Sequence, residues 1–392
     1  MTAQHATSLS QTVLPIAIAG AGPVGLACAL MLYKAGVPAS EIHLFDGKSV
    51  AQTEADQRTI ALSYGSKQLL QGLGAWPINA TEIHDIHVSK RGQFGRTLIS
   101  REDYALPALG YVAAYADILR SLRLQAEAAQ VSIHRPVSLS DASELDDGML
   151  LQSAEQSYHC QFFIQAEGGV FQQQPQRQQH RDYQQIALIF NLQTDQAQRG
   201  RAFERFCQHG PLALLPLQRG YAVVWCVSPE RAAALMACEE AEFLAQLQNE
   251  FGYRAGRFLH VTPRLAFPLG LNAQSSGSAH AVSLGNAAQT LHPVAGQGLN
   301  LGLRDAAELA LMLSQQRLSK GPDWYQDSGF SQRYLTQRQT DRRLTIGLTD
   351  SLARGFAQPA GQGWLSLGLS LLDNLPLLRH ALAQQMLFGW RS

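Results

Sequence analysis

The sequence predicts an α/β protein in which a parallel sheet with its helices carries an inserted antiparallel sheet, followed by C-terminal helices. Three observations predict this class: a strand–turn–helix–strand pattern near the N-terminus, β patterns in the middle of the chain, and long helical patterns after residue 299. The length of 392 residues and the hydrophobic content of 46% supply a core for about two or three structural units.

The N-terminal segment has the pattern of a βαβ unit. Residues 13–19 form a short apolar run that ends in glycine, and residues 23–35 repeat apolar side chains at helical spacing before Gly36 and Pro38. Residues 41–45 read as a second strand, which ends at Asp46. This order of elements implies a parallel sheet.

The remaining elements follow from the same patterns. Helices are predicted at 65–73, 116–129, near 229–251, at 299–315 and at 328–356, and strands at 131–134, 161–165 (after a hairpin from 147) and 281–284. The β patterns over 186–227 predict a second, antiparallel sheet and the floor of a substrate pocket. The glutamine-rich segment 172–185 is predicted to be an exposed loop.

Composition excludes several classes of protein. Lys+Arg and Asp+Glu both number 31, which argues against a nucleic-acid binder. The 5 cysteines are scattered without a C-x-x-C pair, so we expect reduced thiols and no zinc site. We expect neither a signal peptide nor a membrane-spanning helix, because no sufficiently long apolar run is free of charge or proline.

The strongest motif is the turn that opens the first helix, Gly20-Ala21-Gly22-Pro23-Val24-Gly25. Gly20 allows a tight turn, Gly22 lets the backbone approach a pyrophosphate, and Gly25 lets the helix pack against the strand. The N-terminus of the helix then offers free N–H groups to phosphates. Asp46, at the end of the second strand, can accept hydrogen bonds from a ribose. The alternative is an ordinary βα turn.

A second glycine-rich loop, residues 285–300, again joins a strand to a helix. Gly296 and Gly298 free the backbone at the helix entry, where partial positive charge can face an anion. Alone, this loop could be any anion contact or a simple turn. Two such helix entries in one chain fit a large cofactor that is contacted at both ends.

These motifs resemble the flavin-dependent aromatic hydroxylase family, over residues 16–349. That family has an N-terminal GxGxxG for the ADP half of FAD and a late G-D-x-x-H-x-x-x-P-x-x-G-x-G-x-N loop around the flavin. Arg58, within residues 56–62, fits its arginine beside the flavin. A closer similarity, to the branch that acts in ubiquinone biosynthesis, rests on residues 200–215, 285–300 and 333–352.

The chain departs from the family pattern at three positions. Asn286 and Gln289 stand where the late loop usually has Asp and His, and the middle Ala-Asp-Gly motif reads Ala166-Glu167-Gly168. Asparagine can still hydrogen bond a ribityl hydroxyl, so we expect FAD to be retained.

The resemblance implies a Rossmann-like FAD-binding domain with an inserted substrate domain. It assigns residues 12–80 and 111–182 to the FAD-binding domain, 81–110 and 183–270 to the substrate domain, and 271–392 to the FAD-binding loop and C-terminal helices.

The resemblance also implies a reaction and its participants. NADPH or NADH reduces FAD, O2 is captured as a flavin C4a-hydroperoxide, and a prenylated phenol is hydroxylated. Other ubiquinone-biosynthesis proteins are candidate partners. The implied location is cytoplasmic, either free of membranes or peripheral to the inner membrane.

The resemblance and the motifs together define the candidate site. The residues predicted to bind the cofactor are Gly20, Gly22, Pro23, Val24, Gly25, Asp46, Arg58, Gly285, Asn286, Pro293, Ala295, Gly296, Gln297, Gly298, Leu299 and Asn300. His292, Pro293 and Gly296 are the catalytic candidates, with a structural loop histidine as the alternative for His292. Arg205 and His209 are candidates for the substrate, or ordinary surface and packing residues.

Alternatives from other classes remain at this point. A reductase or a small-phenol hydroxylase would share the fold, and a non-catalytic FAD-binding scaffold fits the three departures. A flavin halogenase is disfavoured because its W-x-W-x-I-P motif is absent. The apolar C-terminal residues 363–390 predict either a helix packed on the body or a surface for a membrane or partner.

Overall fold

The computed structural model describes residues 13–91, 96–168, 179–273, 277–357 and 376–389. The strands are β1 (Leu14–Ala19), β2 (Ile42–Phe45), β3 (Thr59–Ser63), β4 (Ala80–Ile83), β5 (Asp85–Lys90), β6 (Arg96–Ser100), β7 (Gly110–Ala114), β8 (Ser132–His134), β9 (Leu139–Leu145), β10 (Gly148–Ser153), β11 (Ser157–Gln165), β12 (Gln179–Thr194), β13 (Arg201–Cys207), β14 (Gly210–Leu217), β15 (Gly220–Val227), β16 (Phe258–Val261), β17 (Leu265–Ala273), β18 (Ala281–Ser283) and β19 (Gln289–Thr290). The helices are α1 (Pro23–Lys34), α2 (Val50–Glu54), α3 (Tyr64–Gly72), α4 (Tyr115–Ala128), α5 (Pro229–Ala237), α6 (Glu240–Phe251), α7 (Gln297–Lys320), α8 (Phe330–Ala357) and α9 (Pro376–Phe388).

The first sheet contains the predicted βαβ unit. Strands β8, β2, β1 and β11 lie side by side and parallel, with β18 also parallel to β11, while β9 and β10 continue the sheet antiparallel. Its strands are apolar because one face packs against α1, α4 and α7, where Ile16, Leu26 and Leu303 are fully buried. The α/β prediction and the parallel pairing of β1 with β2 are confirmed.

The second sheet is larger than predicted. It runs β19–β17–β12–β15–β14–β13–β5–β6, with β16 also on β12. One face is covered by α5 and α6, which bury Trp225, Leu188 and Phe243. The predicted antiparallel strands over 186–227 are confirmed, but β5, β6, β16 and β17 join them from distant parts of the chain.

The prediction of an exposed loop over 172–185 is wrong from residue 179 onward. Residues 179–182 pair with β17. A bulge interrupts the pairing after Asp182, and pairing with β17 resumes at Gln185. The backbone bonds of a strand do not require apolar side chains, so polar composition misled the prediction here. The earlier residues of this segment lie outside the described ones.

A small third sheet, β3–β7–β4, packs against the C-terminal helix α9. Ala383 and Leu387 of α9 are buried beside Ile83 and Val112. Residues 376–388 therefore match the packed-helix alternative for the C-terminal stretch, and residues 363–375 lie outside the described ones. The division into domains stays a prediction: β4 belongs to this small sheet, whereas β5 and β6 extend the second sheet.

Within the described residues, no helix combines the length and apolar character needed to cross a membrane.

Candidate functional site

The turn between β1 and α1 has a backbone that side chains would block. Gly20 has φ +94°, and its Cβ would lie 2.8 Å from the carbonyl oxygen of Ala166. A Cβ on Gly25 would lie 1.9 Å from the carbonyl oxygen of Gly20. Gly22 is the N-cap of α1, followed by Pro23 at the first helical position. The turn is therefore a close backbone cradle at a helix N-terminus, where the first N–H groups have no intrahelical acceptor.

The carboxylate of Asp46 is fixed at the edge of this cradle. It accepts hydrogen bonds from the backbone N–H groups of Ala21 (2.9 Å) and Lys48 (2.8 Å), and Arg135 lies 3.2 Å from Oδ2. Arg135 also donates to the carbonyl of Ala21 at 2.7 Å. Sequence reasoning missed Arg135. The signal was available, because it follows β8, and the carboxyl ends of parallel strands share one edge.

Arg58 lies beside the same cradle in an aromatic setting. Its guanidinium makes a two-pronged contact with Asp56 (2.6 Å at the shortest) and stacks 4.9 Å from the ring centre of Tyr115. The Tyr115 hydroxyl comes within 3.5 Å of where a Cβ on Gly22 would lie. Hydrogen bonding to Asp56 raises the pKa of Arg58, against the effect of burial. Arg58 is thus a fixed cation near the helix N-terminus, and Tyr115 is a second residue that sequence reasoning missed.

The late glycine loop packs directly on the first one. Gly285 (φ +54°) would place a Cβ 3.1 Å from Val24 of α1. Gly296 (φ +58°) is the left-handed N-cap of α7. The buried Asn300 amide donates to the carbonyl of Gly296 at 2.8 Å and accepts from the N–H of Ser63 at 2.9 Å. Asn300 therefore fastens the Gly296 turn to β3.

His292 is enclosed within this loop. Its Nδ1 accepts from the N–H of Val294 (3.2 Å), so Nε2 carries the proton and donates to Gln185 (2.9 Å). Burial lowers the pKa of His292 to about 4. A neutral imidazole with both nitrogens engaged fits the structural alternative better than a proton carrier near neutral pH.

Gln289 leads from the loop into a buried ionic cluster. Its amide donates to Asp305 Oδ2 (3.0 Å) on α7, and Asp305 also contacts Arg338 (2.7 Å) and Arg342 (3.0 Å) on α8. Burial raises the pKa of Asp305, but the two arginines outweigh it and the net shift is downward. The residue that stands where the family has His therefore serves to anchor the loop.

Both loops open into one cavity of about 1480 Å³. The structure brings the following predicted residues to its wall: Gly20, Gly22, Pro23, Val24, Asp46, Arg58, Gly285, Asn286, His292, Pro293, Gly296, Gln297, Gly298, Leu299 and Asn300. Gly25 belongs to the first turn without lining the cavity, and Ala295 ends the short helical turn Pro293–Ala295 of the late loop. Glu167 also lines it, next to Gly20, and burial followed by the charge of Asp46 raises the pKa of Glu167.

Arg205 and His209 do not line this cavity. Arg205 points to the other face of β13, where its Nε donates to the carbonyl of Glu250 at 3.1 Å. His209 is exposed in the turn between β13 and β14. The structure therefore does not bring either to the predicted pocket floor. Trp225 is fully buried, and Phe206 is buried but also borders the cavity.

The far wall of the cavity is apolar. It consists of the open face of the second sheet together with α9, which contributes Ala383, Met386 and Leu387. One carboxyl group, Glu204, faces the cavity from this sheet. Sequence reasoning missed Glu204, since its surroundings depend on strands that are distant in sequence.

The residues present fit FAD. The backbone cradle between β1 and α1 accepts no side chain at Gly20 or Gly25, and the cavity exceeds the roughly 300–1,000 Å³ of a pocket for one drug-sized ligand. The sequence profile of the FAD binding domain family matches residues 13–343, and the chain belongs to this family. It is a flavoprotein of the aromatic monooxygenase class, whose members typically use NAD(P)H and O2.

Two bacterial relatives and one solved structure are similar to nearly the whole chain. The chain is 30% identical to 3-demethoxyubiquinol 3-hydroxylase of Escherichia coli, covering 93% of this chain and 96% of that protein. It is 29% identical to ubiquinone hydroxylase UbiL of Rhodospirillum rubrum, covering 96% and 91%. The crystal structure of p-nitrophenol 4-monooxygenase PnpA from Pseudomonas putida superposes with a TM-score of 0.73 at 16% identity, covering 97% and 100%, which establishes the fold alone.

Proposed function

We propose that the protein hydroxylates the aromatic ring of a polyprenylated phenol in ubiquinone biosynthesis, with NAD(P)H and O2 as co-substrates. The observation that carries this proposal is the single cavity, which joins a polar end lined by two glycine turns to an apolar wall. The names of the bacterial relatives support ubiquinone biosynthesis as the pathway.

The polar end would hold FAD through its own backbone and fixed charges. The N-terminus of α1, with Gly22 and Arg58 beside it, suits the pyrophosphate, and Asp46 suits the ribose. The N-terminus of α7 at Gly296–Gly298 would face the flavin ring with partial positive charge. When bound, FAD supplies hydride acceptance from NAD(P)H and activation of O2.

The apolar wall would receive the phenol ring and the start of its tail. Ile86, Ile189, Val224 and Leu387 line it and exclude water from the reacting ring. Because a polyprenyl tail is apolar and partitions into lipid, we infer that the substrate is collected at a membrane surface. Peripheral contact with the inner membrane and contact with other ubiquinone-biosynthesis proteins belong to this proposal.

The ring position is the finer part of the proposal. Residues 200–215, 285–300 and 333–352 resemble 2-octaprenyl-6-methoxyphenol hydroxylase, and we propose that reaction for this chain. The E. coli relative is named for a different substrate, 3-demethoxyubiquinol.

The test begins with the visible spectrum of the purified protein and continues with turnover. We expect a flavin spectrum, and NAD(P)H oxidation with hydroxylated product when a prenylated methoxyphenol is supplied in detergent. A series of prenylated phenols that differ only in which ring position is open is then supplied, and mass spectrometry shows which of them is hydroxylated. The substrate that is turned over identifies the ring position. A protein that stays colourless with FAD refutes the proposal. Flavin without NAD(P)H consumption supports a scaffold, and equal turnover of phenols lacking the tail supports a small-phenol hydroxylase.

A further inference from the structure

One row of side chains crosses the second sheet and faces the cavity. The pairing register connects, in order, Thr97, Val88, Glu204, Ala213, Val224, Ile189 and Leu265, and each of them lines the cavity. The neighbours of Glu204 two positions along β13, Ala202 and Phe206, line it as well. Glu204 is therefore the single ionisable residue of the row, set among apolar side chains.

The Glu204 carboxyl is enclosed and poorly satisfied. Within the described ranges, no donor reaches its buried Oε1 atom. Burial alone raises the pKa of Glu204 to about 8. The thiols of Cys207 and Cys226 are close enough to interact with it electrostatically. The other titratable groups around the cavity lie on its polar loops and helices: Asp46, Lys48, Asp56, Arg58, Tyr115, Glu167 and His292.

A buried acceptor without a donor destabilises a protein, and a leucine at this position would match its neighbours better. Groups that break the local rule in this way concentrate at functional sites. A molecule that enters the cavity, carries one hydroxyl or amine and is otherwise apolar would supply a donor to this carboxyl. A phenol with an isoprenoid tail has this character.

We propose that Glu204 receives the phenolic hydroxyl of the substrate and takes up its proton while the ring is hydroxylated. The phenol O–H bond breaks and a carboxyl O–H bond forms, which makes the ring more electron-rich. After oxygen transfer the hydroxylated ring carbon loses its hydrogen as a proton to solvent, and Glu204 returns its own proton to the phenolate oxygen. The proton count on Glu204 is thus restored each cycle. This inference rests on the proposed function in one respect, that the substrate is a phenol.

The raised proton affinity matters for this role. An ordinary carboxylate, near pKa 4, is a poor base toward a phenol near 10, whereas a group at about 8 is closer to it and accepts the proton more readily. Because Glu204 must be ionised to act as the base, turnover should rise as the pH approaches 8 and then level off.

The first experiment measures binding without turnover. The oxidised holoenzyme is titrated with 2-prenylphenol and with its O-methyl ether, following the flavin absorbance. We expect the wild-type protein to favour the phenol by about 10- to 100-fold, the range of a hydrogen bond to a charged or strongly polarised group. Glu204→Leu should remove this preference by weakening phenol binding. Glu102→Gln, in the exposed turn Arg101–Tyr104, is the matched control. Equal affinities for phenol and ether in the wild type overturn the proposal.

The second experiment separates proton uptake from positioning. Glu204→Gln keeps the shape and the hydrogen bond, so the KM for the phenol should change little while kcat falls about 100-fold or more and the rise toward pH 8 disappears. An infrared band of a protonated carboxyl should titrate near pH 8 in the wild type and be missing in Glu204→Gln. A variant with unchanged kcat and pH profile, or an unchanged infrared band, contradicts the role.

These measurements also distinguish the two proposals. A phenol preference that depends on Glu204, without any hydroxylation, overturns the proposed function and leaves the binding role standing. Hydroxylation that proceeds equally well after substitution of Glu204 supports the proposed function and overturns the role of Glu204. Glu204→Leu should unfold at a higher temperature than the wild type, since it replaces an unsatisfied carboxyl; a lower unfolding temperature would mark Glu204 as a structural residue and overturn the proposal.

Discussion

Asp305→Asn tests whether the buried ionic cluster holds the late loop in place. The Asp305 side chain is fully buried, with Arg338 at 2.7 Å and Arg342 at 3.0 Å. After the substitution, Arg338 keeps Asp341 as a carboxylate partner. Arg342 has no second carboxylate among its hydrogen bonds within the described ranges. The cost is therefore that of one uncompensated buried charge, about 3–5 kcal/mol of unfolding free energy.

The loss should reach the flavin site because Gln289 links Asp305 to the late loop. We expect weaker FAD retention together with the lower stability. Urea unfolding followed by circular dichroism gives the free energy, and the ratio of flavin to protein absorbance after dialysis gives retention. Asp85→Asn, which breaks the more exposed pair with Arg201, is the control and should cost about 1 kcal/mol or less.

A compensating double variant makes the reasoning sharper. Asp305→Leu with Arg342→Met removes both charges, so most of the lost stability should return. A single variant within about 1 kcal/mol of the wild type, or a double variant no more stable than the single one, would refute this account. The contribution of Asp305 should also disappear in acid, because its lowered pKa gives stability that is present above the ordinary value of 3.8 and is lost as the pH falls below it.

Two further predictions concern the glycine turn and the loop histidine. Gly25→Ala should abolish FAD binding, since its Cβ would lie 1.9 Å from the Gly20 carbonyl oxygen. The control variant Gly72→Ala has open space around its Cβ and should bind FAD normally. The flavin spectrum of each purified variant is the measurement, and a yellow Gly25→Ala protein would contradict the need for a bare backbone in this turn. The pKa of His292 is about 4 in the folded protein, against 6.5 for a free histidine. As the pH falls below 6.5, His292 is therefore protonated in the unfolded chain but stays neutral in the folded protein, which lowers the free energy of unfolding. Between pH 7 and pH 5 the wild type should lose about 2 kcal/mol from this source. His292→Gln should lack that loss in urea titrations, and equal losses in both proteins would show that His292 titrates normally.

The sequence allowed prediction of the features that depend on local patterns. The turn after β1 requires glycines at fixed offsets, and an apolar run of strand length precedes it, so the βαβ unit was recoverable from residues 13–46. The packing of α7 behind the late loop follows equally from helical periodicity and the glycines at its start.

The features that were missed depend on pairing between distant segments. Strand β5 pairs with β13, more than one hundred residues later, and β6 pairs with β5. No local pattern specifies the pairing of β5 with β13. Glu204 and Arg205 alternate on one strand, so the face that meets the cavity was decided by the sheet register. Arg205, the residue predicted for the substrate, lies on the face of β13 that turns away from the cavity, whereas Glu204 lies on the face that lines it.

The first and second sheets contribute different parts of the cavity, the first its polar end and the second its apolar wall. Five segments at or beside the polar end follow the carboxyl ends of strands in the parallel part of the first sheet: Gly20 after β1, Asp46 after β2, Arg135 after β8, Ala166–Glu167 after β11 and Gly285 after β18. Parallel strands bring such ends to one edge, which explains how residues so far apart in sequence meet at one end of the cavity. The second sheet is antiparallel apart from the β5–β13 pair, and its alternating side chains give a continuous face on which a single ionisable residue is conspicuous. Substitutions at the strand ends should therefore change flavin retention, and substitutions along the cross-sheet row should change the choice of substrate with the flavin still bound.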